Sequence, residues 1–400
     1  MPDQALSDIK VLDFTNYIAG PYCTKLLADY GADVVKVERP GTGDGARRLG
    51  PFPGDQPHWE KSGLFLHLNT NKRGVTLDLR AEAARKIVRE LIEEADIVVE
   101  SFRPGVMARL GLDFQTLKGI NPRLVMTSIS NFGQTGPYRD YKASEIIFYG
   151  MGGEMCSTGL EEREPIKLGA NVALFQAGST ASVATMGALF SAMGQHVDVS
   201  IMETQVGSID RRMAALVGYQ YTGETYRREP LATVGTLSKV FPCKDGYLEA
   251  TIGLGYFSRV VQMLGEPEVL KEPRWYTPDA QRDPGLLAEF EDHILSWTVD
   301  QVKSDAWRAA QEARVLTGPL NTIEDLAGDP HFNGRGAFAE IEHPEAGRLK
   351  YPGRPFIMNQ SPWSVRRPAP LLGQHNEEIL CGELGLTPQE LTGLRRGGVI

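Results

Sequence analysis

The sequence contains few cysteines and no long run of apolar residues. Its four cysteines stand far apart and form no C-x-x-C pair: Cys23, Cys156, Cys243 and Cys381. This spacing argues against a disulfide framework and against a zinc ribbon. No segment approaches the roughly 18 consecutive apolar residues of a membrane span, and the N-terminal residues do not resemble a secretion signal. We therefore expect a cytoplasmic protein that keeps its thiols reduced.

An excess of positive charge is also missing. Lysine and arginine number 42 against 51 aspartates and glutamates, which gives a net charge of -9. Proteins that bind along nucleic acid carry a basic surface, so we expect no nucleic-acid partner. A small anionic ligand is still compatible with this charge, because a few local positive groups and helix N-termini suffice to hold one.

Familiar catalytic motifs are missing as well. The seven histidines show neither H-x-x-x-H spacing nor a carboxylate at metal-ligand spacing, so we expect no metal site. No G-x-S-x-G segment supports a serine hydrolase. Gly41, Gly43 and Gly45 follow a predicted strand, but their spacing is not that of the dinucleotide fingerprint. A plain turn and a contact between backbone amides and a phosphate fit these glycines equally well.

What the chain does contain is a regular alternation of strand-like and helix-like segments. Its 400 residues, 42% hydrophobic and 23% charged, are typical of a globular protein of two or three domains. Strands are predicted at 9–14, 33–38, 96–100 and 123–130, and a helix at 18–30. A later helix is predicted from the apolar stripe of Ala84, Ile87, Val88, Leu91 and Ile92. This order indicates an α/β fold, in which helices connect the strands of a parallel sheet.

The later segments differ from the first third. Small residues occupy nearly every face of a predicted helix over 174–193, so we expect this helix to be buried among close neighbours. A strand is predicted at 196–201 and a hairpin at 240–251. We expect a large α/β domain over 1–225, a smaller α+β domain over 226–325, and a C-terminal segment over 326–400 that returns to the large domain.

Positive side chains recur at the turns and strand ends of the first domain. Arg39 and Arg103 each follow a predicted strand at its carboxyl end, where doubly wound sheets bind their ligands. Any one of these charges could simply be solvated. Together they suit a ligand with several phosphates. The set comprises Arg39, Arg47, Arg48, Lys72, Arg73, Arg103 and Arg109.

Five collinear segments carry a resemblance to a known family. They are VLDFTNYIAGPYCTKLLADYGADVVKVERPGTGD (11–44), LNTNKRGVTLDL (68–79), the stretch from ADIVVESFRPG to NFGQTGPY (95–138), TGPLNTIEDLAGDPHF (317–332) and APLLGQHNEEIL (369–380). The chain resembles the class III coenzyme A transferases, a family that includes formyl-CoA transferase, carnitine CoA-transferase and the 2-methylacyl-CoA racemases. The resemblance covers nearly the whole sequence.

The resemblance implies a fold, an assembly and a ligand. It implies an interlocked dimer of ring-shaped subunits, each with a Rossmann-like large domain that binds most of CoA and a smaller domain. The substrates would be CoA or an acyl-CoA together with a carboxylic acid, without a metal. The family's contacts with adenine and phosphate fall near Arg39, Lys72, Arg73, Arg103 and Arg109. Arginine and lysine can pair with the phosphoryl groups of CoA.

The family's catalytic aspartate is missing from this chain. In the family, that aspartate attacks the acyl-CoA thioester to form a mixed anhydride, and the released thiolate then gives an enzyme thioester. Gly169 and Gly178 align the segment without a gap and place Leu174 at the aspartate position. Asn171 is a poor nucleophile. Glu145 is a candidate to replace the aspartate, although a structural carboxylate that holds a loop fits this position better.

Racemase chemistry has no support either. The racemases add a histidine in a G-H-D context, and the corresponding residues here are Ala143, Ser144 and Glu145. Both groups that would abstract and return the proton are therefore absent from their family positions.

Three functional hypotheses follow. The first is the non-nucleophilic subunit of a heteromeric CoA-transferase, with the aspartate supplied by a paralogous partner, as in benzylsuccinate-type members of the family. The others are an acyl-CoA lyase or isomerase, and a homodimer that binds acyl-CoA without catalysis. We favour the first, with succinyl-CoA or a similar donor.

The acyl group itself cannot be identified from the sequence. The segment from Arg228 lacks the long glycine-rich insertion of formyl-CoA:oxalate transferases, which argues against oxalate as the acceptor. Tyr17, Phe148, Tyr149 and Met151 could line an apolar acyl pocket, although each also fits an ordinary core position.

Overall fold

A computed structural model describes residues 4–207, 210–225, 236–253, 256–277, 280 and 283–400. The chain divides into two compact units. The first comprises Met1–Met155, Lys167–Thr225 and Gly334–Ile400, and the second comprises Cys156–Ile166 and Tyr226–Asn333. The second unit thus includes an excursion at Cys156–Ile166 that the sequence did not suggest, and it extends past residue 325, where we had expected the small domain to end.

A six-stranded sheet forms the centre of the first unit. The strand order is β3-β2-β1-β4-β5-β6, and each neighbouring pair is parallel. The chain changes direction across the sheet between β1 and β4, which is the topological switch point of a doubly wound fold. The strands are β1 (Lys10–Phe14), β2 (Asp33–Glu38), β3 (Lys72–Thr76), β4 (Ile97–Glu100), β5 (Val125–Ser130) and β6 (His196–Ser200).

Helices cover both faces of this sheet. Alternate residues of β1 point to opposite faces, so that Val11 packs against α1 and α7 while Leu12 packs towards α3. In α3, Ala84, Ile87 and Val88 form the buried stripe that the sequence periodicity predicts. The helices are α1 (Ala19–Asp29), α2 (Gly63–Leu68), α3 (Glu82–Glu94), α4 (Val106–Arg109), α5 (Phe114–Ile120), α6 (Glu145–Met151), α7 (Val172–Phe190), α8 (Ile201–Gly207) and α9 (Asp210–Thr222).

Helix α7 is buried on one face only. A Cβ atom at Gly178 would stand 2.5 Å from the carbonyl oxygen of Ala19, so α1 and α7 approach each other as closely as a glycine allows. On the other face, 73% of Val183 and 92% of Phe190 is exposed. The expectation that this helix is buried on nearly every side is therefore wrong for the isolated chain. By length and composition α7 could also cross a membrane, but one of its faces packs closely against α1.

The second unit is built on an antiparallel sheet. Strands β7 (Thr236–Cys243) and β8 (Gly246–Gly253) form the predicted hairpin, and β9 (Leu316–Pro319) pairs with β8. Trp275, Phe290 and Ile294 belong to its own hydrophobic core. The helices are α10 (Phe257–Met263), α11 (Pro284–Thr298), α12 (Lys303–Glu312), α13 (Ile323–Gly328) and α14 (Pro330–Gly334).

The C-terminal segment packs on the first unit. An antiparallel pair, β10 (Phe338–His343) and β11 (Gly347–Pro352), precedes a π-helix at Glu378–Glu383 and the last helix, α15 (Pro388–Arg396). Ile379, Leu380 and Leu391 join the same core cluster as α3. The last part of the chain thus completes one face of the six-stranded sheet.

Candidate functional site

A cavity of about 810 Å³ lies at the carboxyl ends of β1, β4, β5 and β6. Its walls come from residues 16–19, 101–104, 129–131 and 139–145, and all of these belong to the first unit. The backbone N–H of Asn16 donates a hydrogen bond of 2.9 Å to Ser101 Oγ, which ties the ends of β1 and β4 together. Open α/β sheets bind their ligands at such a switch point, so this cavity is the candidate site.

Four positive side chains line the cavity. Arg103 and Arg109, which the sequence singled out, are both exposed along its wall. Arg139 and Lys142 join them from the loop after β5 and were missed. Both follow β5 at a distance along the chain, so a charge directly after a strand does not indicate them. Arg39 is exposed at the end of β2 and does not line the cavity.

Lys72 and Arg73 do not reach this cavity. Lys72 is fully buried, and its Nζ atom donates to Thr24 Oγ1 at 2.7 Å and to Asp13 Oδ2 at 3.0 Å. Burial lowers the pKa of Lys72 to about 8 in spite of that carboxylate. Both residues lie at the start of β3, away from the carboxyl ends of the strands. Both side chains form ion pairs within the first unit, and their predicted contacts with CoA stay a prediction.

Arg73 is held by three carboxylates. Its guanidinium pairs with Asp33, with Glu378 at 3.1 Å and with Glu383. Because Glu378 and Glu383 belong to the π-helix, Arg73 fastens the C-terminal segment to the sheet. That partnership depends on residues about 300 positions away, so the local sequence around Arg73 could not indicate it.

The loop that carries Tyr17 is held in a conformation that is unfavourable for most residues. Tyr17 has φ +68°, and its backbone N–H donates to Asp44 Oδ1 at 2.9 Å. The Asp44 carboxylate in turn lies 2.9 Å from the ammonium of Lys36, and both side chains are fully buried. A Cβ atom at Gly45 would stand 2.4 Å from the Tyr17 ring. Gly45 therefore gives this ring room at the cavity wall.

The structure explains why glycines stand at positions 41, 43 and 45. Gly41 and Gly43 have φ values of +70° and +60°, and Gly45 lies against the Tyr17 ring. Turn geometry and close packing account for all three glycines. The phosphate contact that the sequence left open stays a prediction.

Leu174 and Glu145 meet at the inner end of the cavity. Helix α7 begins without a side-chain cap from Asn171, and Glu145 takes over that role. The Glu145 carboxylate accepts the backbone N–H groups of Ala173 at 2.7 Å and of Leu174 at 3.2 Å. A carboxylate at the positive end of a helix is favourable, so Glu145 caps α7. The Leu174 side chain is half-buried and lines the cavity.

Of the four residues that the sequence suggested for an apolar acyl pocket, two line the cavity and two do not. Tyr17 and Phe148 line the cavity. Tyr149 is buried in the core, and Met151 is half exposed outside the lining. In the part of the chain that the structure describes, no group of three or more histidines, cysteines or acidic residues could hold a metal ion.

A buried acid lies beneath the cavity. Glu100 ends β4, directly before the lining residue Ser101, and accepts the backbone N–H of Phe102 at 2.7 Å. Burial, with a contribution from the nearby Asp198 carboxylate, raises the pKa of Glu100 to about 7. Hydrogen bonds from Ser128 and Phe102 oppose this rise. The position of Glu100 below the lining makes it a structural acid whose protonation depends on pH.

Comparison with known proteins gives consistent matches over nearly the whole chain. The model of CoA-transferase family III matches residues 6–376. A succinyl-CoA:D-citramalate CoA-transferase of Chloroflexus aurantiacus is 34% identical over 409 residues, covering 100% of this chain and 99% of the relative. A succinate–glutarate CoA-transferase of Agrobacterium fabrum is 33% identical over 389 residues, covering 94% and 95%. The crystal structure of a CaiB/BaiF family protein from Brucella suis has a TM-score of 0.83 at 30% identity, covering 95% of this chain and 99% of that chain.

Proposed function

Because the chain belongs to CoA-transferase family III, we propose that it takes part in CoA transfer as the subunit that lacks the nucleophile. CoA thioesters are the substrates of this family. The donor would be succinyl-CoA or a similar acyl-CoA, and the acceptor a carboxylic acid. Support for this donor comes from the two relatives above, whose names include succinyl-CoA and succinate. The proposal includes a cytoplasmic location.

The observation that carries the proposal is the pair formed by Leu174 and Glu145. Leu174 lines the cavity at the position that the family resemblance assigns to the catalytic aspartate. Its side chain has no lone pair with which to attack a thioester. Glu145, the nearest alternative, already accepts two N–H groups at the start of α7. An attack by this carboxylate on a thioester would release the helix end that it caps.

The missing carboxylate would come from a paralogous partner. Its aspartate would attack the thioester carbonyl, the C–S bond would break, and CoA thiolate would leave. The thiolate would attack the aspartyl carbonyl of the resulting anhydride, which gives an enzyme thioester and releases the donor as a carboxylate. The acceptor carboxylate would attack this thioester and expel the thiolate, and the thiolate would then attack the acceptor's carbonyl in the second anhydride, which gives the new acyl-CoA and frees the aspartate. In this chain, Arg103 and Arg109 would hold phosphates of CoA by charge-assisted hydrogen bonds.

An exposed apolar face supports association with a partner. Val183 and Phe190 on α7 and Met193 just after it are each more than 60% exposed. Large apolar side chains grouped on one face mark an interaction surface. We propose that this face is covered in an interlocked dimer with the paralogous subunit.

The decisive experiment compares the chain alone with the chain purified together with a paralogue that carries aspartate at the Leu174 position. CoA exchange is assayed between succinyl-CoA and a panel of mono- and dicarboxylic acids. We expect exchange only from the pair. Exchange by the lone chain would overturn the proposal, whereas CoA binding without exchange in either sample would indicate an acyl-CoA-binding homodimer.

A gain-of-function variant tests the same idea within this chain. Leu174→Asp restores a carboxylate at the cavity wall, so we expect an acyl-enzyme that hydroxylamine cleaves and that mass spectrometry detects. Leu174→Asn is the matched control, because it has nearly the same size and polarity but no nucleophilic oxygen anion. Equal labelling of both variants would show that position 174 does not face the thioester.

A further inference from the structure

An apolar wall closes the inner end of the cavity. Its residues come from α1, β5, α6, α7, α8 and the loop before α6, and each belongs to or packs against the same hydrophobic cluster of the first unit. Because they share one cluster and one cavity, they form a continuous apolar surface. The apolar wall consists of Ala19, Ile129, Ala143, Phe148, Leu174 and Ile201.

Glu145 is an acidic group at this wall whose two oxygens are both in use. They accept the backbone N–H groups of Ala173 at 2.7 Å and of Leu174 at 3.2 Å. Within the described part of the chain, no lysine or arginine side chain forms an ion pair with Glu145. A second carboxylate at this wall would therefore lose its water to apolar side chains and would be repelled by Glu145.

The positive side chains of the cavity stand on other segments of its lining. Arg109 and Arg139 converge on the turn before α4, where a Cβ atom at Gly105 would stand 3.7 Å from Arg109 Nη1 and 3.3 Å from Arg139 Nη2. Arg103 precedes this turn, and the proposed function assigns phosphates of CoA to Arg103 and Arg109. Of these cations only Lys142 adjoins the apolar wall along the chain, and an ion pair with it would be weak because its side chain is exposed.

We propose that the acceptor of the CoA transfer is a monocarboxylic acid with an apolar body, whose acyl group packs against the apolar wall when it is joined to CoA. This acceptor class rests on the proposed function. Leu174 stands at the position of the family's attacking aspartate, so the carbonyl of a bound thioester lies beside it and the acyl chain begins at the apolar wall. Each methylene group of that chain that leaves water for the wall strengthens binding. Succinyl-CoA, the donor, carries its free carboxylate to the same wall and binds more weakly.

The test measures the affinity of the purified chain for a series of CoA thioesters by calorimetry. Acetyl-, butyryl- and hexanoyl-CoA vary the apolar length, whereas butyryl- and succinyl-CoA have acyl chains of the same carbon number and differ in the terminal carboxylate. We expect the affinity to rise by up to about fourfold for each added methylene group. We expect butyryl-CoA to bind at least about tenfold more tightly than succinyl-CoA, because two carboxylates near a protein surface repel each other.

Substitutions at Leu174 test whether this preference comes from the apolar wall. Leu174→Lys neutralises Glu145 or pairs with the succinyl carboxylate, so it should reduce the ratio of butyryl-CoA to succinyl-CoA affinity by about tenfold or more. Leu174→Met conserves the apolar volume and should keep the wild-type ratio. Leu349→Lys is the matched control and should also keep it, because Leu349 is exposed on β11 outside the cavity. Urea unfolding of each variant shows that folded proteins are compared.

The outcomes distinguish this inference from the proposed function. Equal affinity for butyryl- and succinyl-CoA, or tighter binding of succinyl-CoA, would overturn the inference and leave the proposed function in place. Tighter binding of succinyl-CoA that Lys142→Met abolishes would assign the acyl carboxylate to Lys142 instead. If the lone chain binds no thioester but exchanges CoA together with its paralogue, a higher kcat/KM for hexanoate than for glutarate supports the inference, and the reverse order overturns it. A chain that neither binds nor exchanges would overturn the proposed function as well.

Discussion

The role of Glu145 can be tested through the stability of helix α7. Glu145→Ala leaves the N–H groups of Ala173 and Leu174 without their acceptor and removes a negative charge from the helix N-terminus. Loss of a cap costs about 1–2 kcal/mol. Loss of a partly buried charge at a helix end costs up to about 2 kcal/mol more. We therefore expect the free energy of unfolding to fall by about 3 kcal/mol in Glu145→Ala and by about 1 kcal/mol in Glu145→Gln, which keeps one acceptor oxygen.

Urea unfolding followed by circular dichroism measures this loss. With a urea dependence of about 3 kcal/mol per molar, the unfolding midpoint of Glu145→Ala should fall by about 1 M. Glu93→Gln is the control, because Glu93 is an exposed acid on α3, and it should change the free energy of unfolding by less than about 0.5 kcal/mol.

The order of the variants decides between a cap and a reactive group. A cap requires that Ala destabilises more than Gln and that both destabilise more than the control. If both Glu145 variants unfold at the wild-type midpoint while either one abolishes exchange in the complex, the capping assignment is refuted and Glu145 becomes the candidate nucleophile.

Three further stability predictions concern the core. Gly178→Ala should destabilise by about 1–3 kcal/mol, because its methyl group would stand 2.5 Å from the carbonyl oxygen of Ala19. Gly187→Ala on the same helix meets no atom within 4 Å and should stabilise by up to about 1 kcal/mol, so equal urea midpoints for the two variants would contradict the close contact between α1 and α7. Burial raises the pKa of Glu100 to about 7, so the folded protein retains a proton that the unfolded chain releases from about pH 4.5 upwards. Wild-type stability relative to Glu100→Gln should therefore fall between pH 5 and pH 8, by up to about 3 kcal/mol, and parallel pH profiles in urea unfolding would contradict this. Lys72→Met should cost about 3–5 kcal/mol in unfolding free energy but leave the CoA affinity of the folded protein unchanged, and calorimetry showing weaker binding at full folding would place Lys72 in the ligand site.

The sequence predicted those parts of the fold that depend on local pattern. The buried strands β1 and β2 follow from short apolar segments, and the apolar stripe of α3 follows from helical periodicity. The hairpin of β7 and β8 follows from its turn residues. Strand-end charge led to Arg103 and Arg109, which line the cavity because the carboxyl ends of parallel strands converge at one edge of the sheet, and their contact with CoA stays a prediction.

What the sequence could not predict are partnerships formed by the tertiary fold. Arg73 looks like an exposed charge until Glu378 and Glu383 arrive from the far end of the chain. Likewise, nothing in the loop that carries Arg139 indicates that this side chain lies beside Arg109, where Gly105 leaves room for it. A sequence shows where its charged residues are, but it does not show which residues neutralise them in the folded protein.

Leu174 and Glu145 are best understood as one arrangement. An acidic side chain at position 174 would belong to the same helix turn whose N–H groups Glu145 holds at 2.7 Å and 3.2 Å. Two carboxylates that close raise the free energy of the doubly charged state, so one of them would have to take up a proton or move away. Leucine at position 174 brings no second negative charge to this helix turn, and Glu145 caps the helix. Under the proposed function, leucine at position 174 would give up a nucleophile in a subunit whose partner attacks the thioester.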